Sequence, residues 1–230
     1  MIRHRACRVA LSALCVLLSA ACSILPAPRP VDVYLLPAPV PKTADGDGVP
    51  RSWSLRIARP ETGGQLLGQR ILVIPEQNRV SVYEGANWHE PAPLLMRNRL
   101  FDAFRMDGRI SALSTDEMRA FADLELLSDL NTFHSEYRQD DASLPDAVIR
   151  LDVRLVDTAS RRIVASRVFE RRAAAAASAV PAVVAAFGAA ADRLAAELVA
   201  WTVAQGDAAQ NTAHPVPVTP LRGDDGRASQ

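Results

Sequence analysis

The sequence predicts an α+β domain in which a mixed sheet of about five or six strands is covered on one face by two main helices. Several short segments alternate apolar and polar residues with the two-residue period of a strand. Two longer segments repeat apolar residues every three or four positions, as an amphipathic helix does. The 230 residues are 49% hydrophobic and 23% charged, which is typical of a globular protein and excludes disorder throughout.

The first half of the chain contains four strand signals. Residues 31–36 alternate in a short segment closed by Pro37, and residues 53–58 alternate as a half-buried strand does. A continuous apolar run over 71–74 and a second apolar segment over 80–83 are separated by a polar turn. This arrangement predicts a further pair of strands.

Two helices are predicted from apolar stripes. The first covers 93–107, where Met96, Leu100 and Phe104 recur every four residues and Gly108 marks the end. The second covers 178–204, and we expect its stripe to pack in the core, with a coiled-coil interface as the alternative. Its members are spaced three or four apart: Val180, Val183, Phe187, Ala191, Leu194, Leu198 and Trp201.

The region between the two helices predicts mainly strands. A short helical turn is expected over 115–121, and an imperfect alternation predicts a strand over 124–137. Two strong strand patterns follow at 148–155 and 163–169, joined by a short polar segment. They predict a β-hairpin.

The amino terminus has the three parts of an export signal. Three arginines precede a 13-residue apolar run that ends at Ala21, too short for the roughly 20 residues that a permanent membrane helix needs. Small residues then lead directly to Cys22, in a pattern that resembles a bacterial lipobox. The resemblance implies that 1–21 is a lipoprotein signal peptide and that Cys22 carries a covalent lipid. A plain signal peptide with an incidental cysteine is the alternative.

The mature chain divides into three predicted parts. Residues 22–51 hold the lipidated Cys22 and seven prolines, which favour an extended tether. The folded domain is expected over 52–204, and a disordered tail over 205–230. Cys22 is the only cysteine that survives cleavage, which excludes an intramolecular disulfide and a cysteine metal site. By resemblance to sorted bacterial lipoproteins, Ser23 in place of Asp favours the outer membrane.

Charge and motifs exclude several classes of function. Equal numbers of basic and acidic residues, 26 each, argue against a nucleic-acid partner. No catalytic serine motif or phosphate-binding loop is present, and we expect no enzyme activity, cofactor or metal site. The adjacent His89 and Glu90 fit an exposed loop pair better than a metal or acid/base pair. Tyr83 and Trp88 are candidate partner contacts, although Trp88 is more simply explained as a side chain that fixes its loop to the core.

The order of several segments is similar to the ABC-type transport auxiliary lipoprotein family over residues 22–204. The segments are the lipobox at Cys22, Tyr34-Leu35-Leu36, Arg79–Tyr83, Trp88–Leu95, the hairpin residues 155–157 and 162–165, and the Ala-rich helix ending at Trp201. The resemblance implies a non-catalytic periplasmic lipoprotein on the outer membrane. Its implied partner is an MCE-domain protein of an ABC system that moves lipids or other hydrophobic molecules between the two membranes, and a homo-oligomer is a further expectation.

Two other functional classes stay open. The lipoprotein could itself bind a small apolar ligand in the periplasm, which would require a cavity. An outer-membrane hydrolase would require clustered polar residues in a cleft.

Overall fold

A mixed sheet of eight strands forms the scaffold of the described part of the chain. The structure is a computed structural model that describes residues 30–39, 50–76, 78–118, 120–137 and 144–213. The strands are β1 (Asp32–Tyr34), β2 (Leu55–Ile57), β3 (Arg70–Glu76), β4 (Arg79–Trp88), β5 (Leu113–Thr115), β6 (Leu124–Tyr137), β7 (Pro145–Asp157) and β8 (Arg162–Ala174).

Strand β6 joins the parts of the sheet. One edge of β6 pairs with β7 in antiparallel register along its whole length, and β7 pairs with β8 in the predicted hairpin. The other edge is shared by two parallel neighbours, β2 beside Leu124–Leu126 and β3 beside Ser135 and Glu136. Beyond them, β5 extends the sheet from β2, while β4 and then β1 extend it from β3.

Helix α1 (Ala92–Asp107) begins and ends where its sequence signals lie. Pro93 falls in the first turn, where the missing backbone N–H removes no helical hydrogen bond. Gly108 adopts a left-handed conformation with a φ of 73°, and its N–H donates to the Phe104 carbonyl at 3.1 Å. The predicted helix over 93–107 is confirmed.

Helix α2 (Val180–Ala213) packs on β7, β8 and α1. Leu194 and Leu198 are fully buried, and Trp201 meets Phe169 of β8 edge-on with ring centroids 5.5 Å apart. The predicted stripe is therefore part of the core. Helices and inward-facing strand residues form one cluster, which confirms the α+β class with both helices on one face of a mixed sheet. The sheet has eight strands where about five or six were expected.

The opposite face of the sheet carries ion pairs. Arg154 of β7 lies 2.7 Å from Asp129 of β6, and Arg172 of β8 pairs with Glu136 of β6. Burial alone would raise the pKa of Glu136, but hydrogen bonds from Arg172 and His134 outweigh it, so the pKa is lowered. Arg172 also pairs with Glu170 of its own strand, at 3.3 Å.

The structure differs from the sequence-based boundaries at three places. Strand β1 belongs to the sheet, so the folded body starts within the predicted tether over 22–51. The helical turn predicted over 115–121 is present only as a single 3-10 turn at Asp116–Met118, and the unpredicted strand β5 ends just before it at Thr115. Residues 205–213 continue α2, because side chains from the start of the body contact that part of the helix.

The predicted signal peptide, Cys22 and the tail from 214 onward lie outside the described residues. Within the described ranges, no helix combines the length and the apolar composition needed to cross a bilayer.

Candidate functional site: the fixed amino-terminal segment

The segment over 32–39 is held on the sheet by the end of β4. Strand β1 runs parallel to β4, with Asp32 opposite Ala86 and Tyr34 opposite Trp88. The backbone N–H of His89 donates to the Tyr34 carbonyl at 2.9 Å and extends this pairing by one step. The part of the body nearest in sequence to Cys22 is therefore an ordered strand.

Trp88 fixes the position of β4 beneath this strand. Its ring meets Phe133 of β6 and Phe187 of α2 edge-on, with centroids 5.7 and 5.3 Å away, and those two phenyl rings stack at 4.8 Å. Aromatic pairs in these geometries add to the free energy gained by burial. At 1% exposure, Trp88 is a core residue and has no surface to offer a partner in this conformation.

Arg99 of α1 links the segment to both helices. This side chain is only 4% exposed, and its guanidinium donates to the Pro37 carbonyl and pairs with Asp192 of α2. The Pro37 ring packs against α2 at Gly188, where an added Cβ would lie 3.0 Å from the ring carbons. We call this group of Pro37, Arg99, Gly188 and Asp192 the clamp.

A second attachment lies near the carboxyl end of α2. Trp53 Nε1 donates to Asp207 at 3.0 Å, and the Arg51 guanidinium pairs with the same carboxylate at 2.9 Å. An added Cβ at Gly206 would lie 2.4 Å from the Trp53 ring, so only glycine leaves the ring its present place. Helix α2 thus holds the chain both before and after the stretch over 40–49.

An open groove of about 440 Å³ lies between the segment and α1. Residues 35–39 and Leu95 give it an apolar side, and Asn98 and the His89–Glu90 pair give it a polar side. His89 Nε2 lies 3.5 Å from Glu90, whose carboxylate also accepts from Asn98 at 3.3 Å. No group of three potential metal-binding side chains occurs among the described residues. His89 is exposed and Glu90 is partly exposed.

Tyr83 lies on β4 and is half-buried. Its hydroxyl is 3.0 Å from the Ser135 hydroxyl of β6, which is fully buried. Burial raises the pKa of Tyr83, with the Ser135 hydrogen bond acting in the opposite direction. Of the two aromatic candidates, Tyr83 is the one with some surface left for a partner.

The arrangement is suited to holding the chain in place. Its buried polar side chains are used in hydrogen bonds between elements, such as Arg99 to Pro37 and Tyr83 to Ser135. Sequence reasoning missed the clamp, because a lone arginine in a helix is ordinarily exposed. The signal that could have indicated it was Gly188, since a glycine inside a helix often has a packing reason.

The sequence matches the family model of the ABC-type transport auxiliary lipoprotein component over residues 34–199. A crystal structure of a Xanthomonas campestris protein from the DUF330 family is similar, with 31% identity and a TM-score of 0.71 over 80% of this chain and 100% of that chain. The crystal structure of an uncharacterized protein shares the fold at 14% identity, with a TM-score of 0.58 over 76% of this chain and 99% of that chain.

A weaker likeness exists to the PelC dodecamer of Paraburkholderia phytofirmans, with 11% identity and a TM-score of 0.41 over 66% of this chain and 88% of that chain. No protein with a curated description matches the sequence.

Proposed function

Since this chain belongs to the ABC-type transport auxiliary lipoprotein family, we propose that it is a non-catalytic component of an ABC transport system on the periplasmic face of the outer membrane. In this proposal the lipid on Cys22 anchors the chain, and the folded body docks an MCE-domain protein. The assembly moves lipids or other hydrophobic molecules between the inner and outer membranes. The family match over 34–199 carries the proposal, because it spans the folded body from β1 to α2.

The anchor is supported by the sequence around Cys22. A short apolar run, small residues and the cysteine follow one another in lipobox order, and Ser23 favours sorting to the outer membrane. Several acyl chains on one cysteine would hold the protein durably, since each buried CH₂ contributes about 0.8 kcal/mol.

The ordered segment over 32–39 limits how far the folded body can lie from the lipidated Cys22. Ten peptide steps separate Cys22 from Asp32, and a fully extended chain spans at most about 3.6 Å per residue. Strand β1 is therefore held within about 36 Å of the lipidated residue, given that upper bound per residue. A body anchored in this way works close to its membrane.

Direct binding of a small apolar molecule is the second candidate. The groove of about 440 Å³ beside residues 35–39 favours it, because that volume falls in the range of small-molecule sites. Incubation of the purified protein with envelope lipid extract, followed by native mass spectrometry, would test it. Lipid that binds the wild type at a one-to-one ratio and is lost in Leu35→Gln, an exposed position of the groove, would support this function over docking alone.

The anchor and its location are tested by labelling cells with radioactive palmitate and separating their membranes on a density gradient. We expect the wild type to be labelled and to sediment with outer-membrane porins. Cys22→Ala should be unlabelled, and Ser23→Asp should move the labelled protein to the inner membrane. Labelled wild-type protein in the inner-membrane fraction would contradict the proposed location, and an unlabelled wild type would contradict the anchor.

A further inference from the structure

Two apolar side chains stand out from the fixed segment. Val33 is 63% exposed and Leu35 is 66% exposed, whereas the alternating residues Tyr34 and Leu36 pack against the core. No charged residue occurs from Val33 to Pro39. We call Val33 and Leu35 the apolar ridge.

The ridge is rigid. Val33 lies in strand β1, and Leu35 is two residues before Pro37, whose carbonyl and ring are held by the clamp. A surface that is already ordered loses little conformational entropy when it is covered. Two apolar side chains held exposed and close together form a surface that another apolar surface can cover at little entropic cost.

The length of chain between Cys22 and the ridge indicates that the covering surface is a membrane. Eleven peptide steps separate Cys22 from Val33, which a fully extended chain spans in at most about 40 Å. Given the lipid on Cys22, the ridge is kept within that distance of a bilayer at all times. The groove beside the ridge adds polar groups, Asn98 and the His89–Glu90 pair, next to the apolar side chains. An apolar ridge with an adjacent polar side matches the boundary between acyl chains and headgroups.

We propose that the apolar ridge lies against the surface of the membrane that holds the Cys22 lipid, and so fixes which face of the body is turned to the bilayer. This inference rests on the proposed anchor. The acyl chains supply the affinity, and the ridge sets the orientation. The groove beside residues 35–39 then opens next to the lipid headgroups.

The test uses the full, acylated chain with one nitroxide spin label. Cys22 is the only cysteine of the mature protein and its sulfur is blocked by the proposed lipid, so Val33→Cys or Leu35→Cys introduces the only free thiol. Val168→Cys is the matched control, because Val168 is also an exposed β-branched residue but lies on β8, at the far side of the sheet from β1. The labelled proteins are reconstituted in vesicles of phosphatidylethanolamine and phosphatidylglycerol.

Collision with oxygen and with a water-soluble nickel chelate reports membrane contact. We expect labels at 33 and 35 to gain oxygen collisions and lose nickel collisions relative to the label at 168. Detaching the protein by producing it without residues 1–22, in a variant whose circular dichroism is unchanged and whose single label is at 35, should return that label to the aqueous values.

Three results would overturn the inference, and they are distinguishable. Labels at 33 and 35 as aqueous as the label at 168, with acylation verified by mass spectrometry, would refute the ridge and leave the anchor intact. Spin–spin broadening at 35 would show that a second copy covers the ridge instead. Absence of acylation would refute the anchor itself and, with it, this inference.

Discussion

Replacing Arg99 with Met should release the amino-terminal segment from the body. Met keeps an apolar stem of similar length and removes the guanidinium. The Pro37 carbonyl then loses its donor, and Asp192 loses its ion-pair partner. Because Arg99 is almost completely buried, its guanidinium is well placed to contribute through this hydrogen bond.

The magnitude follows from these two contacts. A hydrogen bond to a charged group contributes about 1.5–3 kcal/mol to the free energy of unfolding. Asp192 is 29% exposed and can be rehydrated, so its pair adds about 0–1 kcal/mol. The total loss is about 1.5–4 kcal/mol. If only the segment opens, the Pro37 hydrogen bond alone is lost, and its contribution of about 1.5–3 kcal/mol lowers the protection of the segment's amides from hydrogen exchange about 10- to 150-fold, since each factor of ten is about 1.4 kcal/mol.

Urea unfolding measures the loss in the free energy of global unfolding. Hydrogen exchange of peptides covering 32–39 measures the loss of protection in the segment itself. Arg105→Met is the matched control, because Arg105 is on the same helix, is 67% exposed and makes only a surface pair with Asp102. It should change the free energy of unfolding by less than about 1 kcal/mol. If Arg99→Met matches Arg105→Met in both measurements, the clamp does not hold the segment.

Three further outcomes are expected. Leu194→Asp should abolish cooperative thermal unfolding, because it leaves a charge in the core. Ala196→Asp, at an exposed position of the same helix, should melt close to the wild type. If Leu194→Asp melts normally but loses partner binding, the stripe is an interface and not core. Gly206→Ala should lower the midpoint of urea unfolding. Overlap of the added methyl group with Trp53 costs about 1–3 kcal/mol, whereas the gain in helix propensity is about 1 kcal/mol. A raised midpoint would contradict the close contact. Because the pKa of Glu136 is lowered, its ionised carboxylate stabilises the fold fully at pH values above its ordinary pKa of 4.5, and this stabilisation is lost as the pH falls through the lowered pKa. Glu136→Gln should therefore melt below the wild type at pH 7 and approach it under acid conditions. A difference in melting temperature that does not depend on pH would be inconsistent with the ion pair.

Elements with strong local patterns could be predicted from the sequence. The alternation over 124–137 and the hairpin that follows are periodic over many residues, and Gly108 marks the end of α1 through its own backbone preference. The strands β2 and β5 are only three residues long and pair with segments far away in the chain. Only part of the 53–58 signal became β2, and no local signal indicated β5.

The missed parts of the site depend on tertiary contacts. Residues 205–213 include the weak helix formers Gly206, Asp207 and Asn211, yet they remain helical where Asp207 receives the Trp53 and Arg51 side chains. Burial of Arg99 requires Pro37 and Asp192, which lie 62 and 93 positions away in the chain. Trp88 could be a core residue or a partner contact by its sequence alone, and its place in the core became evident only from its contacts with Phe133 and Phe187.

The central claim is that this lipoprotein serves an ABC transport system as its auxiliary component. The most direct test is a pull-down of tagged wild-type protein from detergent-solubilised envelopes, with Cys22→Ala in parallel, followed by mass spectrometry of the proteins that co-purify. We expect an MCE-domain protein to be enriched with the wild type and reduced with Cys22→Ala, since the anchor delivers the body to its partner. Absence of any MCE-domain protein from the wild-type sample, under conditions that preserve a known MCE complex, would contradict the proposed function.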